Sequence, residues 1–275
     1  VTTFYLGTHQ PAWLTRLDVP LFISDRRLKD RKTLPVARGP WALDSGGFTE
    51  LQQYGAWTTT PAEYVTRVRR YRDEIGHLAW AAPQDWMCEQ VVIDGGVVNS
   101  IRFAGTHLTV REHQWRTIDN LWDLRGLAPD LPFIPVVQGQ TPADYLRHVD
   151  WYRATGIDLR DEPLVGVGSV CRRQNMDEAG DILKALHRAG LTRLHGFGFK
   201  MLGLERFSAW LASADSLAWS FEARRAPVMR ECRGGTHRSC ANCPTFAMAW
   251  RRRALEAIDH LSVEQDSLLD LLAPA

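Results

Sequence analysis

Short apolar runs recur along this chain, separated by longer stretches with helical spacing. The runs are Thr3–Gly7, Pro20–Ile23, Trp41–Leu43, Leu78–Ala82, Phe133–Val137, Leu164–Val167, Arg193–Phe197 and Ser216–Trp219. Each is short and rich in β-branched or aromatic residues, the signature of a strand buried on both faces. Amphipathic helices are expected at Pro61–Ile75, Pro142–Thr155 and Asn175–Ala189. The first two open on a Thr-Pro pair, which places proline in the first turn behind a threonine cap. Strands alternating with helices indicate a parallel sheet, and eight such strands favour a closed (β/α)8 TIM barrel, with an open doubly wound sheet as the alternative. Between Gly7 and Leu43 there is little room for full helices.

The expected organisation is a barrel over residues 1–225, interrupted by an irregular insertion at about 86–117, followed by a Cys-rich knuckle and C-terminal helices over 226–275. The knuckle leads into a helix from about Pro244 to Asp259, with a further short helix at Ser267–Leu272. A chain of 275 residues with 45% hydrophobic positions can bury a full core without disulfides. The first thirty residues show no cationic leader followed by an apolar run, and no apolar stretch approaches a membrane span. These features predict a soluble cytoplasmic protein. Five cysteines, three of them clustered, fit a reducing compartment and a metal site better than a secreted disulfide framework.

In a barrel, chemistry belongs at the C-terminal ends of the strands. Asp44, Asp85 and Asp215 fall near such ends, and Gln138 follows Val137 in the same way. Acids converging on one pocket drive their pKa values apart, so that one can stay ionised while another carries protons. Asp44-Ser45-Gly46-Gly47-Phe48 combines an acid, a tight turn and an aromatic face. It lacks the lysine and spacing of a phosphate loop. Gly166-Val167-Gly168-Ser169 and Gly196-Phe197-Gly198 would line a pocket mouth with backbone amides.

Cys232, Cys240 and Cys243 match tetrahedral zinc with one ligand still to find. His237 lies inside the knuckle, whereas His260 stands about 25 Å from Cys243 along an unbroken helix. His237 is therefore preferred and His260 is kept as the alternative. A closed shell of three thiolates and a histidine would make the zinc structural. The overall charge of +1 gives no argument for nucleic-acid binding, but Arg224 to Arg253 holds eight arginines against one acid, Glu231, a net of +7. Arg224, Arg225, Arg251, Arg252 and Arg253 are the candidates for phosphate contacts within it.

The order of these motifs resembles the tRNA-guanine transglycosylase superfamily, and within it the DpdA-type 7-deazaguanine DNA transglycosylases. The resemblance runs from residue 41 to 243 through Asp44-Ser45-Gly46-Gly47-Phe48, Asp85, Val137-Gln138-Gly139, Gly166 to Val170, His195-Gly196-Phe197-Gly198, Asp215-Ser216 and the cysteines. It implies a pentosyltransferase that replaces guanine in DNA by a 7-deazaguanine such as preQ0. Asp215 would be the nucleophile at C1′ and Asp44 the proton carrier. Asp85, Gln138 and the backbone from Gly166 through Val167 and Gly168 would read the base edge. Phe48 would stack on one face, and His195 with Gly196 would stand at the other.

Thr49, Gln140, the missing Pro-Thr-Arg segment and the wider cysteine spacing depart from the tRNA enzymes. The target base would have to be single-stranded or flipped. Opening a duplex would fall to a partner protein or to a homodimer. The competing readings are the same exchange on tRNA, a nucleosidase that releases a free base, and a non-catalytic zinc-containing nucleic-acid-binding protein.

Overall fold

The computed structural model describes residues 2–170, 177–233 and 237–272, with side chains through residue 260. Eight strands form one parallel sheet: β1 (Thr3–Thr8), β2 (Leu21–Ser24), β3 (Trp41–Asp44), β4 (Leu78–Ala81), β7 (Val136–Val137), β8 (Val165–Val167), β9 (Leu194–Gly196) and β10 (Ser213–Ser216). Their spatial order is β4-β3-β2-β1-β10-β9-β8-β7. The first and last strands of the chain therefore pair, as a barrel requires. A parallel bridge between Ala81 and Phe133 ties the two edges together, so the sheet curls back on itself.

Period two along each strand divides the side chains between two compartments. Phe4, Leu6, Leu21, Ile23, Trp41 and Leu43 face outward into the main core beneath the helices. Tyr5, Phe22, Ala42, Trp80 and Ile134 face inward and fill the barrel axis. The last inward positions of β2, β3 and β10 are Ser24, Asp44 and Asp215; Ser24 pairs in register with Asp44 and Tyr5 with Asp215. The barrel floor is thus apolar and its C-terminal mouth polar.

Local chemistry sets the helices. In α2 (Pro61–Ile75), Thr60 and Glu63 form a reciprocal capping box, and Tyr64, Val65, Val68, Tyr71 and Ile75 make the buried stripe. Thr141 and Asp144 cap α5 (Pro142–Ala154) in the same way. Helix α6 spans Asp177–Arg188, and its expected start at Asn175 lies outside the described residues. Between β1 and β3 only single 3₁₀ turns occur, at Pro11–Trp13 and Asp25–Arg27.

Three expectations are corrected and one helix is added. A helix α1 (Gly47–Tyr54) follows the Asp-Ser-Gly-Gly segment directly. The insertion is more ordered than its composition suggests: it holds α3 (Gln90–Asp94) and an antiparallel hairpin, β5 (Gly96–Val98) with β6 (Ile101–Phe103). It ends where α4 (Val110–Leu127) begins at a Thr109–Glu112 capping box. The final strand is Ser213–Ser216, while Ala218–Arg225 is helix α8. The C-terminal region from Pro244 to Leu272 is one continuous helix, α9.

Helix α9 packs on the barrel beside α7 (Met201–Phe207). The Trp250 ring lies 5.9 Å from that of Phe4 in β1, and Trp250 Nε1 donates to Glu222 of α8 at 2.8 Å. Among the described residues no helix is long and apolar enough to cross a membrane.

Candidate active site

A cavity of about 240 Å³ opens at the C-terminal mouth, and Asp44, Asp85, Glu89 and Asp215 all line it. Phe22, Phe48, Ala82, Met87 and Phe197 supply its apolar walls. Its volume lies below the roughly 300–1,000 Å³ common for drug-sized ligands, which suits a single flat heterocycle. A larger cavity of about 630 Å³ lies at the opposite end of the strands. Its one carboxylate, Glu162, is held by Arg125 at 2.7 Å, so the convergent acids belong to the smaller pocket.

Asp215 is only 5% exposed. The Gly198 backbone N–H donates to its Oδ1 at 2.9 Å, and His195 Nε2 lies 3.4 Å from the same oxygen. These contacts aim the carboxylate without neutralising it by a lysine or arginine. Asp44 accepts from the Gly46 N–H at 3.1 Å across the turn into α1. That turn needs glycine at position 46, where φ is +81° and a Cβ would sit 2.8 Å from Arg26 Cγ. Burial raises the Asp44 pKa, the Gly46 N–H and the Ser24 hydroxyl oppose the rise, and the neighbouring Asp215 adds to it.

Asp85 sits in the extended segment after β4 and accepts a hydrogen bond from Gln138 Nε2. Its pKa is pushed up to about 7, first by burial, then by Asp44 and Glu89, with Gln138 working the other way. Near neutral pH its carboxyl group can thus present either a donor or an acceptor to a ligand edge. Ser169 closes this wall with a left-handed φ of +59°. Its Oγ lies 2.6 Å from Gln138 Oε1 and 2.9 Å from Glu89 Oε2, and it accepts from the Cys88 N–H at 2.8 Å. A strained non-glycine residue bonded into a pocket wall is a device for holding polar groups in place.

The sequence-predicted residues divide accordingly. Asp44, Ser45, Phe48, Asp85, Gly168 and Asp215 line the cavity. Gln138 is fully buried behind Asp85 and holds it. Gly166, Val167 and Gly196 lie within their strands below the mouth, and Gly168, Ser169 and Gly198 take the lining positions. His195 is corrected most. It is buried beneath the pocket, with its ring 4.5 Å from Trp80 and 4.7 Å from Phe197, and Phe197 occupies the wall instead. The cause is strand periodicity: both residues point inward, and Phe197 is the one nearer the mouth. Glu89 and Met87 were missed because the segment after β4 carries no regular pattern. Glu89 standing four positions after Asp85 was the available signal.

Half-exposed Phe48 projects from α1 and meets Phe103 of the hairpin edge-on at 5.8 Å. The insertion therefore touches the pocket rim. Of the arginine candidates, Arg224, Arg225 and Arg252 are exposed. Arg253 is paired with Glu222 at 2.8 Å, and half-buried Arg251 has its pKa lowered by burial against a partial offset from Asp18. The Arg253 guanidinium, itself half-exposed, ties α9 to α8.

Cys232, His237, Cys240 and Cys243 present ligand atoms within 4.8 Å of one another. Cys232 Sγ lies 3.6 Å from Cys243 Sγ, and Cys240 Sγ lies 3.5 Å from His237 Nε2. Zn–S bonds of about 2.3 Å and Zn–N bonds of about 2.0–2.1 Å in a tetrahedron require separations close to these, so the four residues fit zinc. A metal held there would supply cross-linking: Ser220 of α8 donates to Ala241 O at 2.7 Å, which ties the knuckle to the helix that follows Asp215. His260 stands far along α9, as an unbroken helix requires.

Fold and pocket together define an α/β-barrel protein with a carboxylate-lined mouth and a separate metal-capable cluster. The chain belongs to the DpdA family, DeoxyPurine in DNA protein A, whose family model matches residues 1–275. No curated protein matches it. Membership gives the protein a role in deazapurine modification of DNA and implies a transglycosylase-like enzyme with DNA as its substrate.

Proposed function

We propose that the protein exchanges guanine in DNA for a 7-deazaguanine base, such as preQ0, through a covalent glycosyl–aspartate intermediate. The observation that carries this reading is the convergence of Asp44, Asp85 and Asp215 on one cavity sized for a base. Asp215 attacks C1′ of the target nucleotide while the C1′–N9 bond breaks, and guanine leaves as Asp44 delivers a proton to the base. The incoming deazapurine loses its N9 proton to Asp44 and attacks C1′. The ester to Asp215 then breaks and the carboxylate is regenerated.

The raised pKa of Asp44 suits a proton carrier, because burial favours its neutral form before the first step. Asp85, held by Gln138, reads the polar edge of the base, and Phe48 covers one face while Phe197 covers the other. These apolar walls limit access of water, which would otherwise intercept the intermediate and leave an abasic site. The four residues of the knuckle would hold a structural zinc ion remote from the reacting atoms.

The test is incorporation of a labelled 7-deazaguanine into single-stranded DNA and, in parallel, into tRNA. The reading expects label in DNA, release of one guanine per label, and loss of both with Asp215→Asn. Label in tRNA alone would move the substrate to RNA, and guanine release without label would make the protein a nucleosidase.

A further inference from the structure

A second cleft, of about 220 Å³, adjoins the base cavity and shares Asp44 and Phe48 with it. Its remaining lining comes from His9, Ser24, Arg26, Arg27, Gly46 and Thr49. His9 follows β1, and Arg26 and Arg27 follow β2, so basic groups from two neighbouring strand ends meet beside the nucleophile's own mouth. Arg224, at the end of the helix after β10, joins them. The His9 pKa is lowered by burial, by Arg27 and by Arg224, which places all three groups within electrostatic reach.

Several arginines of the chain are neutralised in pairs, Arg67 with Asp25, Arg125 with Glu162, Arg147 with Asp144 and Arg253 with Glu222; those at the cleft are not. Among the described residues, Arg26, Arg27 and Arg224 make no ion pair and no hydrogen bond through their side chains, and both cleft arginines are exposed. Among the described residues Asp44 is the only acid in the lining, and its Oδ1 is taken by the Gly46 N–H. The Arg26 stem lies against Gly46, a position where any side chain would displace it. The turn that aims Asp44 therefore also seats Arg26.

We propose that this cleft binds a backbone phosphate of single-stranded DNA flanking the nucleotide whose C1′ is held at Asp215. The inference rests on the exchange reading above and adds how polymer is told from free nucleoside. A nucleotide with its base in the carboxylate pocket carries its phosphates past the rim, where the ionised acids of the mouth would repel them. Two forked guanidinium groups beside Asp44 supply the compensating charge, and the His9 imidazole adds a further planar donor. A free nucleoside has no group to place there. Of the run of arginines near the C-terminus Arg224 reaches the cleft, while Arg26 and Arg27 stand in the turn after β2.

The test uses a short oligonucleotide containing one guanine, with a neutral methylphosphonate placed on either side of that guanine in turn. Binding of each to the full chain and to Arg26→Ala/Arg27→Ala is followed by fluorescence anisotropy. One of the two substitutions should weaken binding to the unaltered protein by roughly tenfold, the scale of a charge-assisted hydrogen bond. The double variant should bind the native oligonucleotide about as weakly and weaken no further on methylphosphonate substitution. Its slope of log affinity against log salt should fall by about 0.7, the share of a single phosphate that the variant no longer neutralises. Losses that multiply in full, or an unaltered protein indifferent to both methylphosphonates, would overturn the assignment, and the latter result does not depend on how the variant folds. Label incorporation with the same oligonucleotide is scored separately. Its absence speaks against base exchange, while the binding cycle still reports on the phosphate cleft.

Discussion

His195 Nε2 lies 3.4 Å from Asp215 Oδ1, while the Nδ1 of the same ring lies 2.8 Å from Ser213 Oγ. The ring is fully buried among Tyr5, Phe22, Trp80 and Phe197, and burial lowers its pKa against the opposing pull of Asp215. A neutral imidazole locked in this way positions the nucleophile from below. His195→Phe keeps the aromatic packing and removes the polar contact. The expected result is a fall in kcat of up to about tenfold with little change in KM for the base, the scale of a single polar contact worth about 0.5–1.5 kcal/mol. A raised KM with unchanged kcat would instead make His195 a base contact.

Gln138 and Gly168 form a second coupled pair. A Cβ at position 168 would collide with the Gln138 carboxamide, the group that holds Asp85. Gly168→Ala should therefore cost about 1–3 kcal/mol of stability, as overpacking does, and should weaken base affinity through Asp85. Chemical denaturation together with KM for the incoming base checks this. A variant with lowered stability and unchanged KM would show that Gln138 does not act through Asp85.

The raised pKa of Asp85 gives a stability prediction with a definite sign. A folded-state pKa of about 7, above the unfolded value near 3.8, means that the native state favours the protonated carboxyl. The stabilising contribution is fully present below about pH 4 and is lost as pH rises through 7. Asp85→Asn keeps an acceptor for Gln138 and removes the buried charge. It should unfold at higher denaturant than the parent at pH 8, by up to a few kcal/mol at about 1.4 kcal/mol per pK unit. The margin should shrink toward pH 5, and exchange activity should fall. Equal margins at pH 5 and pH 8 would contradict a folded-state pKa of Asp85 raised above the unfolded value.

The Cys232–His237–Cys240–Cys243 cluster should carry one metal ion per chain. Cys240→Ser should remove it and lower Tm, because the knuckle anchors α8 through the Ser220–Ala241 hydrogen bond. Elemental analysis beside thermal unfolding measures both. Full metal content in Cys240→Ser would exclude Cys240 as a ligand.

Sequence reading succeeded where the signal was local. The Thr-Pro starts of α2 and α5 and the cysteine knuckle are short-range features, and they appear where their chemistry puts them. Asp44 and Asp85 could be read because each stands at or just beyond the end of its strand, whereas Asp215 stood before the strand expected at Ser216–Trp219 and lies near the end of the observed one. Helix α4 has an equally good Thr109–Glu112 box, but it was submerged in the irregular composition before it. Strand β10 was displaced because Ser213-Ala214-Asp215-Ser216 is polar, whereas the apolar residues after it belong to a helix that buries Trp219. Arg253 looked free because its partner Glu222 lies two positions outside the basic window, and only the fold brings α9 back onto α8. The wall position of Phe197, and the place of His195 below it, depended on how far along β9 the mouth lies.

The most direct measurement is to trap the protein on single-stranded DNA, denature it and locate the attachment site by peptide mapping. The account predicts a denaturant-resistant protein–DNA adduct in which C1′ of the target nucleotide is bonded to the carboxylate of Asp215, absent from Asp215→Asn. An adduct mapped to Asp44, Asp85 or Glu89, or base exchange that continues in Asp215→Asn, would contradict it.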